Sequence, residues 1–397
     1  MRAINPPTPL SDRRRAGSCR QGASPILWSL LFWNYTEMYE IIESLEGRKT
    51  ADGWLIGARV AQGKEQTGGA FSVGYLATNE TGNPGFFKVL DFRKALDSDD
   101  PARALQELTS AYNFERDILA ACAQHRMSRV VTAVSSGFLS EELAPLGRLF
   151  YLIFELAEGD VRKQIRLVNR QDGAWSVAAM HHIAVGLQQL HNRGISHQDI
   201  KPSNVLIFDQ GTLSKLADLG RAHSTTLAAP HDEFSIPGAS SYAPPEQLYG
   251  FANTDRVQAR RASDLYLLGS MLNFLFVGTG LSVATCQHLQ EQHLPTRFGG
   301  DAGWGGTYTE VLPYYREAYV RALMEFNTSL KSQLSPNSYS SYGTRLVNLL
   351  KYLTDPDPAL RGHPASRSQV HSNPLDLQRI VSELGLISRA LSLSRQS

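Results

Sequence analysis

The sequence predicts an α+β fold, with a small antiparallel sheet in the first part of the chain and mainly helices in the rest. Three observations carry this prediction. Residues 55–92, "LIGARVAQGKEQTGGAFSVGYLATNETGNPGFFKVLDF", alternate apolar and β-branched positions between glycine-rich turns, as three antiparallel strands do. Val205 to Phe208, the turn Asp209-Gln210-Gly211 and the run Leu213 to Ala217 read as a second, shorter hairpin. The segments "LQELTSAYNFERDILAACAQH", "REAYVRALMEFNTSLKSQL" and "LDLQRIVSELGLISRAL" have the apolar spacing of helices.

At 397 residues, 42% hydrophobic and 19% charged, the chain has the composition of a globular protein with a large core. A formal net charge of +1 argues against a general nucleic-acid or membrane-surface binder. Cys19, Cys122 and Cys286 are too few and too scattered for a disulfide framework or a zinc site, which favours a reducing compartment. No run reaches the roughly 18–20 apolar residues of a membrane helix, so a cytoplasmic location is expected. At the N-terminus, basic residues precede the apolar run Ile26 to Trp33, but no small-residue cleavage site comes after it. Residues 1–47 therefore read as an extension outside the main fold, either a disordered lead-in or a start placed ahead of Met38.

Within the strand region, Gly68 and Gly69 would let backbone N–H groups approach a phosphate, with Phe71 at the loop tip. A glycine pair between strands is equally ordinary hairpin chemistry. Lys88 is more specific. It lies inside the apolar strand "FFKVL", where a charge is costly unless paired, and the next helix offers Glu107 or Glu115. The hairpin segment "HQDIKPSNVLIFDQGTLSKLADLG", residues 197–220, places Asp199 and Asn204 before its first strand and Asp218 just past its second. A hairpin brings its outer ends together, so these oxygens converge, as a hard cation such as Mg²⁺ requires. Lys201 in the same loop can balance the charge of a phosphate. The set points to phosphoryl transfer.

These motifs, in this order, resemble the eukaryotic-type serine/threonine protein kinases over residues 48–365. "FFKVL" is similar to the strand with the ATP-phosphate lysine, Lys88, and "FERDIL" to the helix of its ion-pair partner, which selects Glu115. "LFYLIFELAEGD" resembles the fifth strand and hinge, implying Phe154 as gatekeeper and the backbone of Glu155 and Ala157 against adenine; Asp160 either reaches the ribose or is a surface carboxylate. "HQDIKPSN" is similar to the catalytic loop, "DLG" to the metal-binding tripeptide and "SYAPPEQL" to the end of the activation segment. "ASDLYLLGSMLNFLFVG" resembles a buried helix anchored by Asp264, and "DPDPALRGHP" a late segment whose Arg361 pairs with Glu246. The resemblance implies a bilobal fold, with a sheet lobe and hinge at 48–158, a helical lobe at 159–365, and a linker and amphipathic helix at 366–397. It implies ATP and Mg²⁺ as cofactors and protein Ser/Thr hydroxyls as acceptors. Asp199 would accept the hydroxyl proton, Lys201 would neutralise the γ-phosphate, and Asn204 and Asp218 would hold the metal. His181, His182, His191 and His197 read as structural.

Departures from the family pattern matter too. Gln198 replaces the arginine that clamps a phosphorylated activation segment, so the segment, with Ser224, Thr225, Thr226 and Ser235, is expected to work without phosphorylation. Leu219 replaces a phenylalanine, Pro244 an alanine, Ser72 the third loop glycine, and Ala239 a threonine that contacts the catalytic groups. These leave two rival readings, a pseudokinase scaffold and a small-molecule phosphotransferase. Residues 280–345 read as a helical insertion broken by the polar "SPNSYSSYG", and this insertion and the C-terminal helix are the candidate docking sites for a partner.

Overall fold

The glycine-punctuated region forms β1 (Leu55–Arg59), β2 (Ser72–Thr78) and β3 (Pro84–Leu90). After the helix α1 (Pro101–Gln124), β4 (Ala133–Ser140) and β5 (Arg148–Glu155) complete an antiparallel sheet in the order β1-β2-β3-β5-β4. The structure, a computed structural model, describes residues 40–61, 72–142, 144–167, 172–251, 254–368 and 373–394. Gly68, Gly69 and Phe71, and the N-terminal run with Met38, lie outside the described residues.

Side chains alternate across a strand, so the register divides the sheet into two faces. Gly74, Leu76, Phe86, Lys88, Leu152 and Phe154 share one, on the side where α1 brings up Glu115. Tyr75, Phe87, Val89, Tyr151 and Ile153 share the other, and all five are buried. Residues 40–54 cover that second face. Ile42, Leu45 and Trp54 are buried there, the Tyr75 hydroxyl donates to the Ile42 carbonyl at 2.5 Å, and the Tyr151 hydroxyl donates to Asp52 at 3.2 Å. This corrects the boundary at residue 48: a sheet with two apolar faces needs two covers, and "EIIESLEG" belongs to the second.

The helical region comprises α2 (Val161–Leu167), α3 (Gly173–His191), α4 (Arg256–Val277), α5 (Tyr308–Gln333), α6 (Pro336–Thr354) and α7 (Gln378–Leu393). Asp100, Asp172 and Asp255 start α1, α3 and α4 by accepting N–H bonds from the first turn. From Ala262 to Asn273, α4 is buried on every side, which makes it the axis around which α3, α5 and α6 pack. The stretch "SPNSYSSYG" is not a break. Ser335 caps α6 by accepting from the Ser338 N–H at 3.2 Å and Pro336 occupies the first turn, so polar composition here marks a helix start. The helix α7 folds back along α3 and buries Ile380, Leu384, Ile387 and Leu391.

Candidate active site

Two four-residue strands, β6 (Val205–Phe208) and β7 (Leu213–Leu216), form the expected hairpin, with Val205 opposite Leu216. Its turn is tight: Asp209, Gln210 and Gly211 all have left-handed φ, and the Glu158 carboxylate accepts the N–H groups of Gln210 and Gly211 at 2.6 and 3.1 Å. At the open end the Ala217 N–H donates to the Asn204 carbonyl at 2.9 Å, which sets Asn204 beside Asp218.

Asp199 is the hub of this end. One carboxylate oxygen, Oδ2, accepts from Lys201 Nζ at 2.6 Å and from Asn204 Nδ2 at 3.0 Å, and the other accepts the Ala239 N–H at 2.8 Å. Asp199, Lys201 and Asn204 are all buried. The contact from Ala239 answers the missing threonine, because a backbone amide reaches the carboxylate where the side chain cannot. It depends on Gly238, where a Cβ would lie 2.8 Å from Asp199 Oδ1.

Lys88 reaches the same space from the sheet. Its Nζ lies 2.8 and 3.0 Å from the two Glu115 oxygens, so Glu115 rather than Glu107 is the partner; Glu107 pairs with Arg103. Burial pulls the Lys88 pKa down, but the Glu115 carboxylate and, behind it, Asp218 outweigh burial, and the pKa is raised. Asp218 stands close to this pair, for a Cβ on Gly220 would touch Asp218 Oδ1 at 3.3 Å and Glu115 Oε2 at 3.8 Å. The sequence-predicted residues Lys88, Glu115, Asp199, Lys201, Asn204 and Asp218 are therefore brought together.

Asp264 holds the loop from below. Fully buried on α4, it accepts from His197 N–H and Gln198 N–H, each at 2.8 Å, and its Oδ2 lies 2.8 Å from His191 Nε2. Gln198 turns inward as well. Its Nε2 donates to Asp264 Oδ1 at 2.9 Å and to the Arg260 carbonyl at 2.7 Å. His182 Nδ1 accepts the Ser214 N–H at 3.3 Å, and burial pushes its pKa down to about 4, which suits a neutral packing group.

At the hinge, Phe154 and Ala157 join Leu206 around the buried trio Val131, Phe208 and Ala217, giving an apolar floor beside the polar cluster. Glu155 pairs with Lys215 at 2.7 Å. Lys215, inside "LSKLA", carried the same sequence signal as Lys88, an isolated charge in an apolar strand, and was missed. Asp160 is buried rather than a surface carboxylate; its Oδ1 caps α2 by accepting the Lys163 N–H at 2.9 Å.

The segment 220–244 is held by its own side chains and by two arginines of α4. Asp232 pairs with His223 at 2.9 Å and accepts the Ala229 N–H at 3.0 Å, Glu233 pairs with Arg256 at 2.9 Å, and Arg260 donates to the carbonyls of Asp232 and Phe234 at 2.8 and 3.2 Å. His231 packs edge-on against Phe114, the neighbour of Glu115, with ring centroids 5.5 Å apart. Ser224 is buried, whereas Thr225, Thr226 and Ser235 are exposed.

Among the described residues no three His, Cys, Asp or Glu side chains form a ready-made metal cage. One carboxylate and one amide oxygen, Asp218 and Asn204, instead fit a hard cation that takes its remaining ligands from phosphate and water, the habit of Mg²⁺. An antiparallel sheet and helices facing a lysine–glutamate pair, a buried aspartate and such a donor set have the composition expected of a phosphotransferase site. The protein kinase domain family matches residues 63–298, and the chain belongs to that family. It is 29% identical over 232 residues to "Probable serine/threonine-protein kinase PknB" of Bifidobacterium longum, covering 54% of this chain and 32% of that protein. It is 33% identical over 134 residues to "Serine/threonine-protein kinase PknL" of Mycobacterium tuberculosis, covering 33% of this chain and 32% of that one. It is also 29% identical over 173 residues to "Aurora/IPL1-related protein kinase 2" of Caenorhabditis briggsae, covering 42% and 53%. The match thus spans about a third of the first two relatives' length. No helix among the described residues is long and apolar enough to cross a membrane.

Proposed function

We propose that this chain is a bilobal, ATP- and Mg²⁺-dependent kinase that transfers the γ-phosphate to Ser or Thr hydroxyls of proteins and works in the cytoplasm. The observation that carries the reading is the convergence on one space of Lys88–Glu115 from the sheet with Asp199, Lys201, Asn204 and Asp218 from the hairpin. Lys88, kept charged by Glu115, holds the α- and β-phosphates. Asn204 and Asp218 would hold Mg²⁺, which when bound supplies electrostatic stabilisation of the phosphate oxygens. Asp199, fixed by Asn204 and the Ala239 amide, orients the acceptor hydroxyl and takes its proton, and Lys201 balances charge on the transferred group. The hinge backbone at Glu155 and Ala157 meets the base. The reading is tested by incubating the protein with γ-labelled ATP, Mg²⁺ and a generic basic protein. Label is expected on phosphoserine and phosphothreonine; label only on small alcohols or amines such as choline or an aminoglycoside would favour the small-molecule rival.

Activity is independent of phosphorylation in the activation segment. Gln198 is committed to Asp264 and the Arg260 carbonyl, and Asp232 and Glu233 already fill the roles of anions by pairing with His223 and Arg256. Alanine at Ser224, Thr225, Thr226 and Ser235 together should cost less than about tenfold, or roughly 1.4 kcal/mol of transition-state stabilisation. Phosphatase-treated enzyme should act without a lag. A hundredfold loss or a clear lag means that Arg221 or Arg260 serves as a phosphate clamp.

A further inference from the structure

An unbroken line of hydrogen bonds runs from the buried Asp199 to helix α5. Asp199 Oδ1 accepts the Ala239 N–H at 2.8 Å, and the Ala239 carbonyl in turn accepts the N–H groups of Tyr242 and Ala243 at 3.0 and 3.1 Å. The Ala243 carbonyl accepts the hydroxyl of Ser282 at 2.7 Å. Ser282 lies in the short helix Leu281–Cys286 that follows α4. Its oxygen is 3.1 Å from the hydroxyl of Tyr266 on α4, and that hydroxyl is 3.3 Å from the hydroxyl of Tyr315 on α5. A hydroxyl carries one proton, so the bond to the carbonyl fixes the rest: Ser282 donates to Ala243, Tyr266 to Ser282 and Tyr315 to Tyr266. Burial pushes the Tyr266 pKa up to about 12 and that of Tyr315 well above its ordinary value, so both keep the protons they donate. None of the three side chains has exposed surface. The same corner also seats the loop 239–243 from the side. A Cβ on Gly280 would lie 2.9 Å from Tyr242 Cε1, and Gly280 has φ −66°, so it is there to admit the ring rather than to turn the chain.

We propose that Ser282 is a positioning residue for Asp199: its hydroxyl, oriented by Tyr266 and Tyr315, holds residues 239–243 so that the Ala239 amide stays on the carboxylate. The inference rests on the kinase reading and makes α5, part of the region read as an insertion, a brace of the catalytic loop. A line of buried hydroxyls costs more than apolar side chains of the same shape, and it fixes one geometry only when its members are partnered. Here they are, and the Ala243 carbonyl at the end of the line belongs to the same turn as the amide on Asp199.

The test is γ-phosphate transfer from ATP to a generic basic protein by the full chain, with ATP affinity measured separately by calorimetry. Ser282→Ala removes the donor to Ala243 and should lower turnover about tenfold, while ATP affinity stays within about twofold. Ser282→Cys keeps the shape with a weaker donor and should fall between the two; it carries the same test if the alanine variant does not fold. Because Ser282 acts through Asp199, Ser282→Ala added to Asp199→Asn should lower turnover by less than about a further twofold. Tyr319→Phe is the control. It removes a buried hydroxyl bond of 2.9 Å to Thr354, outside the line, and should leave turnover unchanged. Wild-type turnover in the Ser282 variants overturns the proposal. So does a parallel loss of ATP affinity, an additive loss in the double variant or an equal loss in Tyr319→Phe, since each means that Ser282 only packs. If the folded wild-type protein transfers no phosphate, the kinase reading itself has failed.

Discussion

Replacing Arg361 by methionine should destabilise the fold by about 3–5 kcal/mol, the cost of leaving a buried carboxylate without its partner. Arg361 has no exposed surface. Its guanidinium donates twice to Glu246, at 2.7 and 2.6 Å, and also to the carbonyls of Ala262 and Asp355, and it lies 4.9 Å above the Tyr266 ring. One side chain therefore ties the end of the activation segment to α4 and to the turn after α6. Methionine fills much of the volume but supplies none of the donors. The measurement is the midpoint of urea unfolding. Adding Glu246→Met should restore much of the loss, because the penalty comes from the orphaned charge rather than from the missing attraction. A single variant within about 1 kcal/mol of wild type would mean that water reaches Glu246 and that the pair does not brace the fold.

Asp199→Asn should lower the turnover rate by about 10² to 10⁴, the usual contribution of a positioned base. ATP affinity should stay within about twofold, since the proposed function gives the nucleotide to Lys88 and Asp218 and the acceptor to Asp199. The substitution keeps the shape of the side chain, and Asp264 still anchors the loop through the His197 and Gln198 amides. Asp218→Asn should instead raise the Mg²⁺ requirement steeply and abolish turnover at ordinary concentrations, because it removes the only carboxylate in the proposed metal site. A fall in ATP affinity for Asp199→Asn, with turnover intact, would place this aspartate in nucleotide binding.

Much of this arrangement was legible in the sequence because it depends on local periodicity. The hairpin 205–217 is short, its turn residues are unmistakable, and strand geometry then dictates that Asn204 and Asp218 meet. Lys88 was visible as a charge in an apolar strand, and the resemblance chose Glu115 over Glu107. What stayed hidden depended on which surface each residue would face. Residues 40–47 read as a lead-in because nothing local says that the sheet has a second apolar face for Ile42 and Leu45 to cover. Ser335 looked like part of a polar break because a capping serine and a loop serine differ only in whether the next residues turn into a helix. Gly238 gave no signal at all. Its role is to let one backbone approach Asp199, and that approach exists only once segments forty residues apart have folded together. Gln198 was noticed for the charge it lacks, whereas the structure gives it a positive task, bonding to α4.

Whether the six converging side chains transfer a γ-phosphate is decided by timing label transfer from γ-labelled ATP to protein. The rates are compared with Mg²⁺ and with the metal chelated, in wild type and in Asp218→Asn. Steady, Mg²⁺-dependent incorporation into serine and threonine is expected for the wild type and none for the variant. No incorporation by folded, ATP-binding wild-type protein, or equal rates for the two proteins, would contradict the assignment.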